Sequence, residues 1–181
     1  MRIKKSLEAV NTAFAADLVV PFSITIGDEW QGVLKDLAAS YEAMLAFEEA
    51  LEGVSFSCGV GKGKIATPIA ARSSEMDGEA FHRSRLAVEQ AKREDCHVVF
   101  STGDGVADEL INALAWAMWL ARKRWTSRQL QKIALFRQFG DVERVARKLR
   151  VSRSDVNQAL SATDARFFLK IEQALLHHLG S

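Results

Sequence analysis

Two cysteines and four histidines are all that 181 residues hold of those types. Cys58 lies inside an apolar, strand-like run and Cys96 beside His97, so neither a disulfide framework nor a Cys-x-x-Cys metal clamp is available. Four scattered histidines give no Ser-His-Asp or Cys-His order from which nucleophilic catalysis is built. Long apolar runs are missing too. The most apolar window, residues 110–121, spans about 12 residues where a membrane span needs roughly 20. Asn112 interrupts it and Arg122, Lys123 and Arg124 follow it, so it predicts a buried helix. After the opening Met1, Arg2, Ile3, Lys4 and Lys5, the polar residues Glu8, Asn11, Thr12 and Asp17 leave no signal-peptide apolar region. The expectation is a cytoplasmic protein with no membrane partner. No internal repeat or low-complexity tract is present.

Net charge is nearly absent as well, at +1, but this total hides two opposite segments. Residues 122–181 carry 13 Lys and Arg against 5 Asp and Glu, a net +8, and residues 1–121 carry 11 against 18, a net −7. A basic segment of that density predicts contact with a polyanion, because phosphate neutralisation supplies most sequence-independent DNA affinity. With 48% hydrophobic residues the chain can bury a real core, and the charge split favours two domains.

The basic segment has the pattern of a helix-turn-helix. Thr126 to Gln129 forms a capping box that starts a first helix, with Leu130, Ile133, Ala134, Phe136 and Phe139 available for its core. Gly140 and Asp141 mark a stop and a restart, and Ser152 to Asp155 resembles a second, looser capping box. Between them Ala146, Leu149, Val151, Val156 and Leu160 point to one shared core. The helix after Ser152 then exposes Arg153, Ser154, Asn157 and Gln158, types that suit base edges: Arg matches guanine, Asn and Gln match adenine. Arg128, Lys132, Arg147, Lys148 and Arg150 fit phosphate positioning, and Ser152 at the turn belongs to the same DNA-binding set. Arg150 occupies a turn position where glycine is common, and Asp155 places a negative charge in the first turn of the reading helix, as a cap or as an acceptor from cytosine N4. The blander alternative is a three-helix bundle with solvated charges.

Ahead of this segment, Ile3, Leu7, Val10, Phe14 and Leu18 recur at three- and four-residue steps, predicting a helix over 3–19 stopped by Pro21. Residues 22–26 and 30–34 read as a hairpin around Gly27, Asp28 and Glu29. A helix over about 37–51 ends at Gly53, residues 54–60 alternate as a strand that 63–67 can extend or pair, and 68–77 form a loop. A surface helix over 78–93, a strand over 97–101 and a long helix over 104–125 follow. The fold class predicted is α+β: a ferredoxin-like sheet lacking its first strand, plus an all-α helix-turn-helix domain. The domains expected are 1–103, a connecting helix 104–124, and 125–181. A homodimer is expected, through residues 110–119, an exposed sheet edge, or a last helix carrying Phe167, Phe168, Ile171 and Leu175.

Three further features carry possible sites. Asp77, Glu79 and His82 share one side of a helix start, but acidic residues there are expected from the helix dipole alone. Gly59, Gly61 and Gly63 with Lys62 and Lys64 can cradle phosphate, yet lack P-loop or dinucleotide spacing, and strand glycines often mark close packing. His177 and His178 suit the last turn of a helix.

The run Gly27-Asp28-Glu29-Trp30-Gln31-Gly32, the Gly-rich run 56–65 and the stretch Asp77-Gly78-Glu79-Ala80 through Arg85 together resemble the SatD family of bacterial proteins over nearly the whole chain. That resemblance implies a hairpin, a Gly-rich strand and an Asp-Gly-x-Ala helix ahead of a C-terminal helix-turn-helix, in a family regarded as DNA-binding. The hairpin and Gly-rich strand are also similar to the core of class III nucleotidyl cyclases, which implies a cyclase-like sheet with Asp28 and Glu29 as candidate metal ligands. Two-metal chemistry needs carboxylates from more than one element, and only one such element is evident. The expectation is therefore a transcriptional regulator without enzymatic activity or cofactor, whose N-terminal domain senses a small-molecule or nucleotide ligand or mediates oligomerisation. The alternative is a nucleotide-binding protein or enzyme docked by its basic tail.

Overall fold

The computed structural model describes residues 2–51 and 53–180. The chain is α+β and divides into two units, one formed by residues 1–116 and 176–181, the other by 117–175.

In the first unit α1 (Arg2–Ala13) leads to the antiparallel hairpin β1 (Leu18–Ile24) and β2 (Trp30–Leu34), then to α2 (Leu37–Leu51). The predicted first helix overran. Leu18 continues the helical spacing of apolar residues, but it pairs with Leu34 in the hairpin, a contact that local periodicity does not reveal. Pro21 lies within β1, where the ladder is irregular between Val20 and Ser23, the kind of site at which a residue without an N–H is tolerated. Leu7 and Val10 of α1 meet Ala43, Phe47 and Leu51 of α2 in one core. Trp30 lies against Phe47 and Phe56 at ring distances of 5.5 and 5.6 Å, and Phe56 meets the His97 ring at 4.7 Å. His97, nearly buried, holds Glu48 at 2.7 Å through Nε2.

Next come β3 (Cys58–Gly61), α3 (Glu79–Arg93) and β4 (Val98–Ser101), a βαβ unit whose strands pair in parallel. Residues 54–57 join no strand, and 63–67 contribute only a bridge from Ile65 to Gly78. Among the described residues the four strands form two separate two-stranded sheets, in place of the single ferredoxin-like sheet expected. The loop 68–77 contains a 3-10 turn at Ser73–Glu75, and Ser73 Oγ donates to the Gln31 carbonyl at 3.3 Å, so this turn lies along the hairpin.

Two asparagines close strand edges. Asn11 Oδ1 accepts from the Phe22 amide at 2.8 Å while its Nδ2 donates to the Phe22 carbonyl at 2.9 Å. Asn112 does the same for Phe100 of β4, at 2.7 and 2.9 Å. A carboxamide supplies one acceptor and two donors and so mimics one step of a neighbouring strand. These contacts occupy backbone groups that another chain would need for edge pairing. An exposed sheet edge was expected to recruit a second copy; the β1 edge is blocked at Phe22 and the β4 edge at Phe100, and the asparagine that interrupts the apolar window has a structural task.

α4 (Gly105–Arg122) follows, with the Asp104 carboxylate accepting from the amides of Val106 and Ala107. The division between the two units falls within this helix, after Trp116. The second unit contains α5 (Ser127–Phe139), α6 (Val142–Leu149), α7 (Arg153–Ala162) and most of α8 (Ala165–Leu179). Ile133, Val145, Ala146, Val156, Leu160 and Ala165 form its buried core, with Leu149 and Val151 packed against them. Leu130 and Ala134, expected in that core, are exposed.

Candidate nucleic-acid interface

The boundaries of α5, α6 and α7 are written in their caps. Thr126 accepts from the Gln129 amide while the Gln129 side chain accepts from the Thr126 amide, a complete capping box. Gly140, at φ 66°, closes α5 in the left-handed conformation, and its N–H returns to the Phe136 carbonyl at 2.8 Å. Asp141 then caps α6 by accepting from the amides of Glu143 and Arg144.

α6 ends in a Schellman arrangement. The Val151 N–H reaches the Ala146 carbonyl at 3.0 Å and the Arg150 N–H the Arg147 carbonyl at 3.3 Å. Arg150 itself is left-handed, at φ 56° and ψ 44°. Ser152 Oγ accepts from the Asp155 amide at 3.0 Å and starts α7. The reciprocal half of the expected second box is replaced by a different contact: the Asp155 carboxylate turns to α5 and holds Lys132 Nζ at 2.7 Å.

This turn aims α7 outward. Val156, Ala159 and Leu160 are buried, and Arg153, Ser154, Asn157 and Gln158 are exposed on the other side. Arg147, Lys148 and Arg150, around the turn, are exposed, as are Ser152 and Arg128. Eight of the ten predicted residues therefore gather on α6, α7 and the turn between them, and Arg128 and Lys132 lie on α5, Arg128 exposed and Lys132 not. Lys132 is buried and its ammonium is paired with Asp155, so it is not placed to meet phosphate. Burial favours this pair because an unpaired ammonium there would lose its hydration without return. Asp155, in turn, has a partner within the fold and is not a free negative charge on α7.

Sequence reasoning missed Arg166. From α8 its Nη2 donates to Asn157 Oδ1 at 3.0 Å, adding an exposed cation to this face. The signal was available only as one more basic residue in the +8 segment. Glu143 also reaches the face, 3.8 Å from Arg153, a loose pair between largely exposed side chains.

The other candidates resolve differently. Asp28 is exposed at the hairpin tip, and Glu29 pairs with Lys92 at 3.0 Å. Among the described residues no group of three or more His, Cys, Asp or Glu is arranged to hold a metal. Asp77 contacts His82 at 3.1 Å, whereas Glu79 pairs with Arg83 at 2.7 Å. The glycines of the Gly-rich run serve packing. A Cβ on Gly59 would stand 2.3 Å from the Val88 nitrogen, and one on Gly61 2.3 Å from the Ala80 carbonyl oxygen, so β3 lies directly on the α3 backbone. The Lys62 carbonyl accepts from Arg83 and the Lys64 amide donates to Glu79, so these backbone groups are engaged with α3. Burial pushes the Cys58 thiol up to about 12.

No helix among the described residues is long and apolar enough to cross a membrane. No curated protein and no solved structure matches the chain. A family model described as the SatD family does match, over residues 1–178, and the chain belongs to that family.

Proposed function

We propose that the chain binds duplex DNA through a helix-turn-helix formed by α6, the turn 150–152 and α7, and acts as a transcriptional regulator. The observation that carries this reading is the division of α7 into a buried Val156, Ala159 and Leu160 side and an exposed Arg153, Ser154, Asn157 and Gln158 side, bordered by exposed Arg147, Lys148 and Arg150. A reading helix needs its base-contacting side chains exposed and its backbone fixed, and the caps and the Lys132–Asp155 pair do the fixing. In this role Arg128, Arg147, Lys148, Arg150 and Ser152 position the protein on phosphates, while Arg153, Ser154, Asn157 and Gln158 read base edges. The first unit is a sensory or oligomerisation module without catalytic activity.

Selection of bound sequences from a random duplex pool tests the reading. Enrichment of a defined site whose base preference changes in Arg153→Ala or Gln158→Ala supports it. A pool that stays random through successive rounds at moderate salt contradicts it.

A further inference from the structure

α4 buries one side through Ile111, Ala115 and Met118 and leaves another stripe open. That stripe is Val106, Leu110, Ala113, Ala117 and Leu120, all exposed, at steps of four, three, four and three residues. Val106 is 81% exposed, Leu110 57% and Leu120 47%, and Trp116 flanks them at 43%. A 4-3-4-3 spacing keeps apolar residues on one line along a slightly underwound helix, which is the seam of a two-stranded coiled coil. Scattered exposed apolar residues need no explanation, but a seam of this regularity does.

The ends of the helix are oppositely charged. Asp104, Asp108 and Glu109 lie at its start, and Arg122, Lys123 and Arg124 at its close. If two copies of α4 pair antiparallel with Ala113 facing Ala117 across a two-fold axis, Leu110 faces Leu120. Each acidic end then lies beside the basic end of the other copy. Lys123 directly follows the end of α4, keeps the helical hydrogen bond to the Trp119 carbonyl at 2.9 Å and holds its ammonium over the Trp119 ring at 4.3 Å; two heptads from Glu109, it falls at the same flanking position of the repeat, and the two come together in this arrangement. The small Ala113 and Ala117 at the centre let the helix axes approach toward 8 Å. In a parallel pair, by contrast, acidic ends would meet acidic ends.

We propose that this open stripe of α4 is a homodimer interface in which two copies pair antiparallel. This proposal stands independently of DNA binding. A helix pair of this length buries on the order of 800–1,000 Å², below the roughly 1,200 Å² at which stable interfaces begin, so the dimer should be reversible, with Kd of tens of micromolar. Phe167 and Ile171 of α8 are also exposed, but Phe168 and Leu175 of that helix are buried, so it offers a shorter apolar face.

Because acidic starts and basic ends also suit a helix dipole within one chain, a charge swap decides the matter. Sedimentation velocity on the full chain, from a few to a few hundred micromolar, should show a shift from monomer to dimer. Leu110→Glu should remain monomeric throughout while keeping the wild-type melting temperature, since Leu110 is exposed. Glu109→Lys and Lys123→Glu should each weaken dimerisation about tenfold, each substitution acting twice by symmetry, and the double variant should recover affinity to within about threefold of wild type. The proposal is overturned if the wild-type chain stays monomeric over that range, if Leu110→Glu still dimerises, or if the double variant is no tighter than the single ones.

Discussion

Replacing Arg150 by glycine should make the protein more stable and a weaker DNA binder at once. The residue sits at φ 56° and ψ 44°, in the left-handed region, because the Schellman arrangement at the end of α6 requires that conformation there. For a residue with a Cβ this costs roughly 1–2 kcal/mol, and glycine returns about 0.5–1 kcal/mol of that as extra chain entropy in the unfolded state. The net gain expected is about 0.5–1 kcal/mol. For a unit of this size that corresponds to a rise in melting temperature of roughly 2–8 °C, provided it melts independently. The same substitution removes one exposed cation beside the reading helix. The slope of log affinity against log salt should therefore become shallower by about 0.9 if Arg150 neutralises one phosphate. Differential scanning calorimetry and fluorescence anisotropy on one preparation measure both. Loss of stability would refute the account of the turn, and an unchanged salt slope would refute the phosphate contact.

Gly61→Ala should destabilise the first unit by about 2–3 kcal/mol, because its Cβ would stand 2.3 Å from the Ala80 carbonyl oxygen and 2.4 Å from the Ser84 nitrogen, forcing β3 off α3; urea unfolding reads this directly. Glu172→Ala removes a carboxylate buried to 4% exposure that holds Arg137 at 2.6 Å. Since Arg137 is about a third exposed and can recover some hydration, the loss should be about 1–3 kcal/mol, short of that for a fully buried pair, and a cost under 0.5 kcal/mol would show the pair to be incidental. Cys58 has its thiol raised to about 12 by burial, so its contribution is present in full below the unfolded value of about 9 and is lost as pH rises from there toward 12. Relative to Cys58→Ala, the wild-type chain should lose up to about 1 kcal/mol of stability per pH unit in that window, less where solvent reaches the half-buried thiol, and parallel pH profiles would contradict the burial argument.

Local chemistry made much of the fold readable in advance. The hairpin around Asp28, both limits of α2, the Thr126–Gln129 capping box and the core formed by Ala146, Leu149, Val151, Val156 and Leu160 all follow from patterns spanning a few residues. Pairing between distant segments was less legible. Leu18 continues a helical spacing yet belongs to β1 through Leu34, and nothing in the run 54–60 indicates that its first four residues stay outside a strand. Asn11 and Asn112 look like polar interruptions of apolar patterns until the strand edges they close are seen. Within the candidate interface, the exposed α7 residues were legible because helical periodicity separates them from the core. Lys132 was not, because its partner Asp155 lies 23 positions away, and Arg166 reaches the face only through the way α8 returns past Asn157.

The central claim, that α6 and α7 form a phosphate-anchored DNA interface, is tested most directly by titrating the full chain into labelled duplex DNA at salt concentrations from about 50 to 300 mM. For the wild type, log affinity should fall linearly with log salt. Arg147→Ala/Lys148→Ala should reduce that slope by about 1–2, weakening all duplexes alike, while Lys132→Met/Asp155→Asn, which removes both charges of the pair together, should leave the slope unchanged because that ammonium is buried against Asp155. Absence of duplex binding at 50 mM salt by the folded protein, or a slope indifferent to Arg147 and Lys148, would contradict the account.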